Sequence, residues 1–515
     1  MQVFSRSEWI AAVASTLLLI LAFPNFEFYP LAWIALVPLL VVIARRPAPF
    51  RMFFLGWGVG TVFFYATCYW LTYSMIHYGG LPAPLAYVLL IPGAVVIGIF
   101  HGFFAALVAL VVRRWGHMAV LLAPVFWIAL EWTRLGVTGQ LWNALGYSQA
   151  YQPFLIQTAR WGGVYAVSFL ILAINSALAL IVLKRTRWTI PAATAAVLLV
   201  AFLILLTNVR PMVDRNSSIT VVAVQPNVPM TPVKSPAELN ALLGRHVSLS
   251  KQGLANVRDN TKPRVVIWPE SPMNFTYASS KVFQEFVTDF TRENRTSLLF
   301  NSLEPASADG SYNSAVLINE EGRMISQYDK IRLMPFGEYV PLPQWLPGAS
   351  LITGIVGDFT PGEQYTLMPF GDRKTGVFIC IESAYPWIAR NFTREGANVL
   401  INISNDGYLG PTAVMRQHLA NVIFRAVENK REVLRVTNTG LSASIGDRGE
   451  IYDLTGAFQP DVRVWPVAGR SETTFYTRYG DVFVQASTFI SLLLLASIGF
   501  KEVRRRPARV QEPEN

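Results

Sequence analysis

Three residues of this chain have the types that nucleophilic acyl chemistry needs: Glu270 in "VVIWPE", Lys330 in "MISQYDK" and Cys380 in "GVFIC". Each closes or follows a short apolar run of strand character, so each is expected where a strand ends. A thiol attacks an acyl carbon as thiolate, and a nearby ammonium favours that form. A carboxylate can accept the thiol proton and later return it to the leaving group. An ammonium aimed at the developing oxyanion supplies electrostatic stabilisation. Glu270, Lys330 and Cys380 are therefore a sufficient kit for acyl transfer through a thioester. Spacing alone leaves open that they are ordinary polar strand ends, since any α/β domain has such residues. His418 is the rival partner, in a Cys–His dyad, but it falls within a helical pattern. The five histidines show no metal-ligand spacing and no glycine-rich phosphate loop occurs, so neither metal nor cofactor is expected.

The elements that must hold these residues alternate between strand and helix. Strand-like runs cover 218–226, 264–270, 297–302, 313–319, 375–382, 398–404 and 433–438, several of them continuously apolar. Helical patterns fill 237–257, 281–294 and 412–430. This is a layered α/β domain. One long connection, 341–372, is rich in proline and glycine and carries Trp345, Leu346, Leu351, Ile352 and Ile355. A loop of that length and character reads as a lid, or as a segment that lies on a membrane.

The rest of the chain has a different composition. Of 515 residues 52% are hydrophobic and 15% charged, and the apolar excess lies before Arg210 and again over 482–500. Candidate membrane segments cover 9–23, 29–43, 52–71, 85–112, 118–132, 164–183, 188–207 and 482–500. The first, second and fifth are short, and Pro24 and Pro30 suggest a re-entrant hairpin for the opening pair. The net charge of +10 does not form a nucleic-acid face. Its basic clusters, 44–51, 113–115, 184–187 and 501–509, flank the even-numbered segments and mark cytoplasmic ends. That topology puts 136–163 and 208–481 outside. A cleaved signal peptide fits poorly, because no small-residue cleavage site follows the first segment. Two cysteines build no disulfide framework, and Cys68 reads as packing within an apolar run. The expected organisation is a membrane bundle over 1–208, an α/β domain over 209–480, a membrane helix over 481–500 and a basic tail over 501–515.

"WPES" with Glu270, "YDKIRLMPFGEYVP" with Lys330 and Glu338, and "FICIES" with Cys380 and Glu382 resemble the three motifs of the nitrilase (carbon–nitrogen hydrolase) superfamily. With the membrane segments, the chain resembles the apolipoprotein N-acyltransferases of bacterial lipoprotein maturation. "LAFPNFEFYPLAWIALVPLL", "LWNALGYSQ", "QTARWGGVYAVSF", "NDGYLGPT" and "RAVENKREVLRVTNTGLS" extend the likeness over nearly the whole length. The resemblance implies an αββα sandwich on a bundle of about eight helical segments. It implies Glu270 as general base, Lys330 as oxyanion stabiliser and Cys380 as nucleophile. Glu338 would position Lys330 and the acceptor amine, and Glu382 would be a carboxylate needed beside the nucleophile. Tyr147 and Gln149 in the outside loop are further candidates for substrate contact. The implied donor is a glycerophospholipid, phosphatidylethanolamine, and the acceptor is the amine of a diacylglyceryl-cysteine on an apolipoprotein. The implied location is the bacterial inner membrane, crossed several times, with the catalytic domain on the periplasmic side and no nucleic acid involved. Two positions depart from the pattern: Ile381 follows the nucleophile where an aromatic residue is common, and "QPNVPMTPVKS" lacks the usual tryptophan. The rivals are a membrane-tethered amidase with the same triad and a scaffold with an inactive one.

Overall fold

The computed structural model describes residues 4–139, 141–183, 187–208, 218–231, 234–259, 261–306, 310–335, 337–339 and 359–503, the last five by backbone alone. The N-terminal part is helical throughout. Helix α1 (Arg6–Ala22) is followed by a 3-10 turn (Tyr29–Trp33), α2 (Val37–Arg45), α3 (Pro49–Thr67), α4 (Leu71–His77) and α5 (Ala83–Trp115). A second 3-10 turn (His117–Leu122) runs into α6 (Ala123–Thr138), and α7 (Ala159–Leu183) and α8 (Thr189–Thr207) complete this part. Four of these helices are long and apolar enough to cross a bilayer singly, and the α3–α4 pair, bent by 50°, makes a fifth. The segment 29–43 instead falls on a short apolar stretch broken after Trp33.

Among the described residues the α/β part holds two six-stranded sheets. The first has strands β1 (Ile219–Gln225), β2 (Arg264–Ile267), β3 (Ser297–Pro305), β4 (Ser311–Ile318), β5 (Met324–Asp329) and β12 (Asp461–Val467), in the order β12-β1-β2-β3-β4-β5. The second has β6 (Leu367–Phe370), β7 (Arg373–Ile379), β8 (Val399–Ser404), β9 (Glu432–Thr437), β10 (Ala443–Ile445) and β11 (Ile451–Tyr452), in the order β11-β10-β9-β8-β7-β6. Alternation along the strands builds the layers. Val221, Ala223, Val265, Ile267 and Leu299 face a core shared with Val377, Ile379, Val399 and Ile401 of the other sheet. Their neighbours Val222, Val266, Leu298 and Phe300 face outward, against α9 (Pro236–Ala255) and α10 (Lys281–Asn294). On the far side α11 (Pro386–Arg394) and α12 (Val414–Asn429) cover the second sheet. This is the expected αββα sandwich. A short helix, α13 (Phe475–Tyr479), then leads into α14 (Val482–Val503), where the final membrane segment was expected.

Helix α12 joins the two parts, which is why nearly every residue of it is buried. Its apolar positions pack on the sheet while its polar ones reach the bundle. Gln417 accepts from Trp70 Nε1 at 3.0 Å and Trp142 Nε1 at 2.7 Å, and donates to the carbonyls of Pro24 and Thr67 at 3.1 and 2.9 Å. Glu428 Oε1 accepts the Val164 N–H at 2.9 Å, where α7 breaks its helical geometry at Gly162 and Gly163. Gly163 has φ +63°, and a Cβ there would lie 2.8 Å from the Tyr476 ring. The stretch between α6 and α7 lies under the same domain: Tyr151 donates to the Arg416 carbonyl at 2.6 Å and Gln157 to that of Arg448 at 2.8 Å.

Candidate active site

The strand ends deliver the expected residues, with two local differences. Strand β2 stops at Ile267, so Glu270 sits three residues further on, in the turn that Pro269 opens. Strand β7 stops at Ile379, and Cys380 begins a one-turn 3-10 helix, Cys380–Ala384, with φ +51°. A left-handed residue that is not glycine costs about 1–2 kcal/mol. It turns the chain sharply at the strand end and leaves the thiol half-buried rather than in the sheet core. Lys330 follows the edge strand β5.

Lys330 Nζ, almost fully buried, lies 2.9 Å from Glu338 and 3.5 Å from Glu270 Oε1. Asn313 on β4 donates to both carboxylates, at 3.0 Å to Glu270 and 2.6 Å to Glu338. The two glutamates differ in what remains free. Glu338 is buried and also accepts the Met334 N–H at 2.7 Å, so its oxygens are engaged by donors. Glu270 is more exposed, holds Lys330 at the longer distance, and takes the Asn405 N–H at 3.1 Å on its other oxygen. A carboxylate has about four acceptor directions, and Glu270 keeps some for a moving proton.

The charges set the protonation states. Burial works against the Lys330 ammonium, but Glu270 and Glu338, with Cys380 behind them, hold it charged well above the usual lysine range. Burial pushes the Cys380 thiol up, the Glu270 charge pushes it further, and Lys330 opposes both without offsetting them. The surroundings thus favour the neutral form of the Cys380 thiol. Of the two carboxylates beside Lys330, Glu270 is the one with acceptor capacity to spare.

Glu382 plays another part. It is fully buried; Oε1 accepts from Tyr328 Oη at 2.8 Å and from the N–H groups of Ile331 and Arg332 at 2.8 and 3.0 Å, and Oε2 accepts from the Ile379 N–H at 2.7 Å. Burial raises this carboxyl to about 7 even though those donors pull it down. One side chain thus ties the residues just after Lys330 to the residue just before Cys380.

Tyr147 and Gln149 stand apart from this cluster. Tyr147 is buried, accepts from Arg425 at 3.1 Å and packs edge-on against Phe424 at 5.0 Å. Gln149 is buried between Trp33 Nε1 and the Tyr29 carbonyl, at 3.1 and 3.0 Å. His418 does not meet the thiol: its Nε2 donates to the Cys380 carbonyl at 3.0 Å. Ile381 is buried in the main core. Of the long connection, 341–358 with its five apolar residues lies outside the described residues. Its end returns to the site, where the Gly362 N–H donates to the Lys330 carbonyl at 2.8 Å.

Sequence reasoning missed Asn313 and Tyr408. An asparagine in a strand carries no mark of its partners, and only the fold brings it between two glutamates. Tyr408 in "NDGYLG" is exposed and follows by three residues Asn405, whose N–H meets Glu270, which puts it at the rim of the site. The bundle backs it: Tyr78 packs edge-on at 5.7 Å, and Ser74 donates to the Tyr408 carbonyl at 2.6 Å.

Comparison with known proteins agrees with this division. A family model described as apolipoprotein N-acyltransferase N-terminal domain matches residues 15–177, and one described as carbon-nitrogen hydrolase matches residues 220–497. A protein of Geobacter metallireducens named apolipoprotein N-acyltransferase is 32% identical over 511 residues, covering 96% of each chain. One of the same name from Chlorobaculum tepidum is 28% identical over 506 residues, covering 91% of this chain and 92% of its own. Among solved structures, an amidase from Nesterenkonia sp. overlaps 54% of this chain and 98% of its own, at 16% identity and a TM-score of 0.36. A match that runs end to end through both the helical bundle and the sandwich assigns the whole molecule, and this chain belongs to the apolipoprotein N-acyltransferase family.

Proposed function

We propose that this protein moves an acyl chain from a glycerophospholipid, phosphatidylethanolamine, to the free amine of a diacylglyceryl-cysteine at the N-terminus of an apolipoprotein. The observation that carries the reading is Cys380 on its left-handed turn, tied through Glu382 to the residues after Lys330, with Lys330 held between Glu270 and Glu338 beside a rim that the membrane bundle helps to build. In the first half-reaction Glu270 takes the thiol proton as Cys380 Sγ attacks the ester carbonyl. Lys330 faces the oxyanion, and Glu270 returns the proton to the departing lysophospholipid oxygen. In the second, the acceptor amine attacks the thioester and gives a proton to Glu270. The thiolate leaves and is reprotonated, and the product is an amide. Glu338 keeps Lys330 aimed, and Asn313 bridges the two glutamates by donating to both.

Residues 1–208 act as the membrane bundle, 209–480 as the catalytic domain, 481–500 as a further membrane helix and 501–515 as a cytoplasmic tail. The catalytic domain lies on the periplasmic side of the inner membrane. Two things support that side: the basic clusters flanking the even-numbered segments, and the contact of 139–158 with the domain, both stretches being expected outside. Tyr147 and Gln149 support the site by fixing the loop beneath α12. The test supplies purified protein with phosphatidylethanolamine vesicles and a diacylglyceryl-cysteine peptide. The expected product is the N-acylated peptide with an equal amount of lysophospholipid. Release of free fatty acid with an unmodified peptide would assign a hydrolase instead.

A further inference from the structure

His418 sits at the centre of a buried network behind the nucleophile. Its Nε2 faces the Cys380 carbonyl at 3.0 Å and its Nδ1 faces the Asp406 carboxylate; both partners only accept, so the ring binds the carbonyl whenever Nε2 carries a proton and binds both when it is charged. Its Nδ1 lies 2.8 Å from Asp406 Oδ1 and 3.1 Å from Arg435 Nη2. Arg435, fully buried on β9, also donates to Asp406 Oδ2 at 2.8 Å and to Asn402 Oδ1. Asn402 in turn donates from Nδ2 towards the Cys380 carbonyl at 3.4 Å and to that of Phe378 at 3.2 Å. Two donors of this cluster, His418 Nε2 and more distantly Asn402 Nδ2, reach one carbonyl, the one belonging to a residue in a strained backbone conformation, while Arg435 holds Asp406 and Asn402 behind them.

We propose that His418 is a positioning residue for acyl transfer, acting on Cys380 through its main chain rather than through its thiol. A trans peptide is planar, with C=O and N–H on opposite edges. Holding the Cys380 carbonyl therefore also fixes the Ile381 N–H, which opens the 3-10 turn and has no partner within it. The left-handed φ of Cys380 and the direction of that N–H are set together. The helix that carries His418 is itself pinned, since its neighbour Gln417 is clamped by Trp70, Trp142, Pro24 and Thr67 of the membrane bundle. The bundle thus supports the nucleophile through one turn of α12.

This rests on the acyl-transfer reading, and the experiment separates the two. Full-length wild-type protein, His418→Gln and His418→Met are incubated with phosphatidylethanolamine in detergent. Thioester formation is followed by intact mass at several lipid concentrations, and melting temperatures are measured alongside. Glutamine can present an N–H near the position of Nε2, and methionine of similar length cannot. We expect His418→Gln within about threefold of wild type. We expect His418→Met to be about 100-fold slower with unchanged half-saturation by lipid and an unchanged melting temperature, the size of loss expected for a misplaced reacting group. Equal rates in the two variants, or loss of the fold in His418→Met alone, would overturn the positioning role. A wild-type protein that forms no thioester would instead overturn the acyl-transfer reading itself.

Discussion

Replacing Glu338 by glutamine tests how Lys330 is held. The carboxylate meets donors on every side: Lys330 Nζ at 2.9 Å, Asn313 Nδ2 at 2.6 Å and the Met334 N–H at 2.7 Å. An amide has one acceptor oxygen, so either orientation sets its NH2 group against a donor. With the oxygen kept towards Lys330, the NH2 faces the Met334 N–H; turned over, it faces the ammonium and Asn313. Removing one partner of a buried charge costs about 3–5 kcal/mol. Glu270 stays 3.5 Å away and a neutral hydrogen bond can survive, so a net loss of about 2–3 kcal/mol is expected. Lys330 then leans towards Glu270 and occupies the base. A misaligned oxyanion donor lowers rates by about 10²–10³-fold. The assay is single-turnover thioester formation on phospholipid alone, before any amine is present. A drop of that size is the expected result. An unchanged acylation rate with only the amine step slowed would refute the reasoning and assign Glu338 to the acceptor.

Two further outcomes follow from the charges and the packing. Because the Cys380 thiol is raised above its ordinary value, iodoacetamide should label it slowly at neutral pH and about tenfold faster per pH unit up to pH 9. Lys330→Met should slow labelling at every pH, and a plateau below about pH 8 would contradict the neutral resting thiol. Gly163→Ala places a Cβ 2.8 Å from the Tyr476 ring at φ +63°, so thermal unfolding in detergent should begin several degrees lower. The backbone strain alone contributes about 1–2 kcal/mol, and an unchanged melting temperature would mean that α7 straightens without loss.

Much of this architecture is written in apolar runs. The strands that carry Ala223, Ile267 and Ile401 are buried on both faces, and each reads as a mainly hydrophobic stretch. Strands β5 and β12 sit at the edges of the first sheet and mix exposed with buried residues, so "DVRVWPV" carried no such signal and "MISQYD" only a short one, just before Lys330. Glu270, Lys330 and Cys380 were legible because their types suit one reaction and their motifs resemble a family. Asn313 was not, since its value lies in standing between two carboxylates that are distant in sequence. The role of Glu382 was equally hidden: its donors come from separate stretches of chain, and only folding brings them to one side chain. The bends at Cys68 and at Gly162–Gly163 escaped for a similar reason, being fixed by the domain packed against them rather than by local composition.

The central claim is that Cys380 becomes acylated by a phospholipid with Glu270 as its base. Intact-protein mass spectrometry after exposure to phosphatidylethanolamine tests it most directly. The account predicts a mass increase of one acyl chain, removed by hydroxylamine, absent in Cys380→Ala and strongly delayed in Glu270→Gln. An adduct that persists in Cys380→Ala, or none in the wild-type protein, would contradict it.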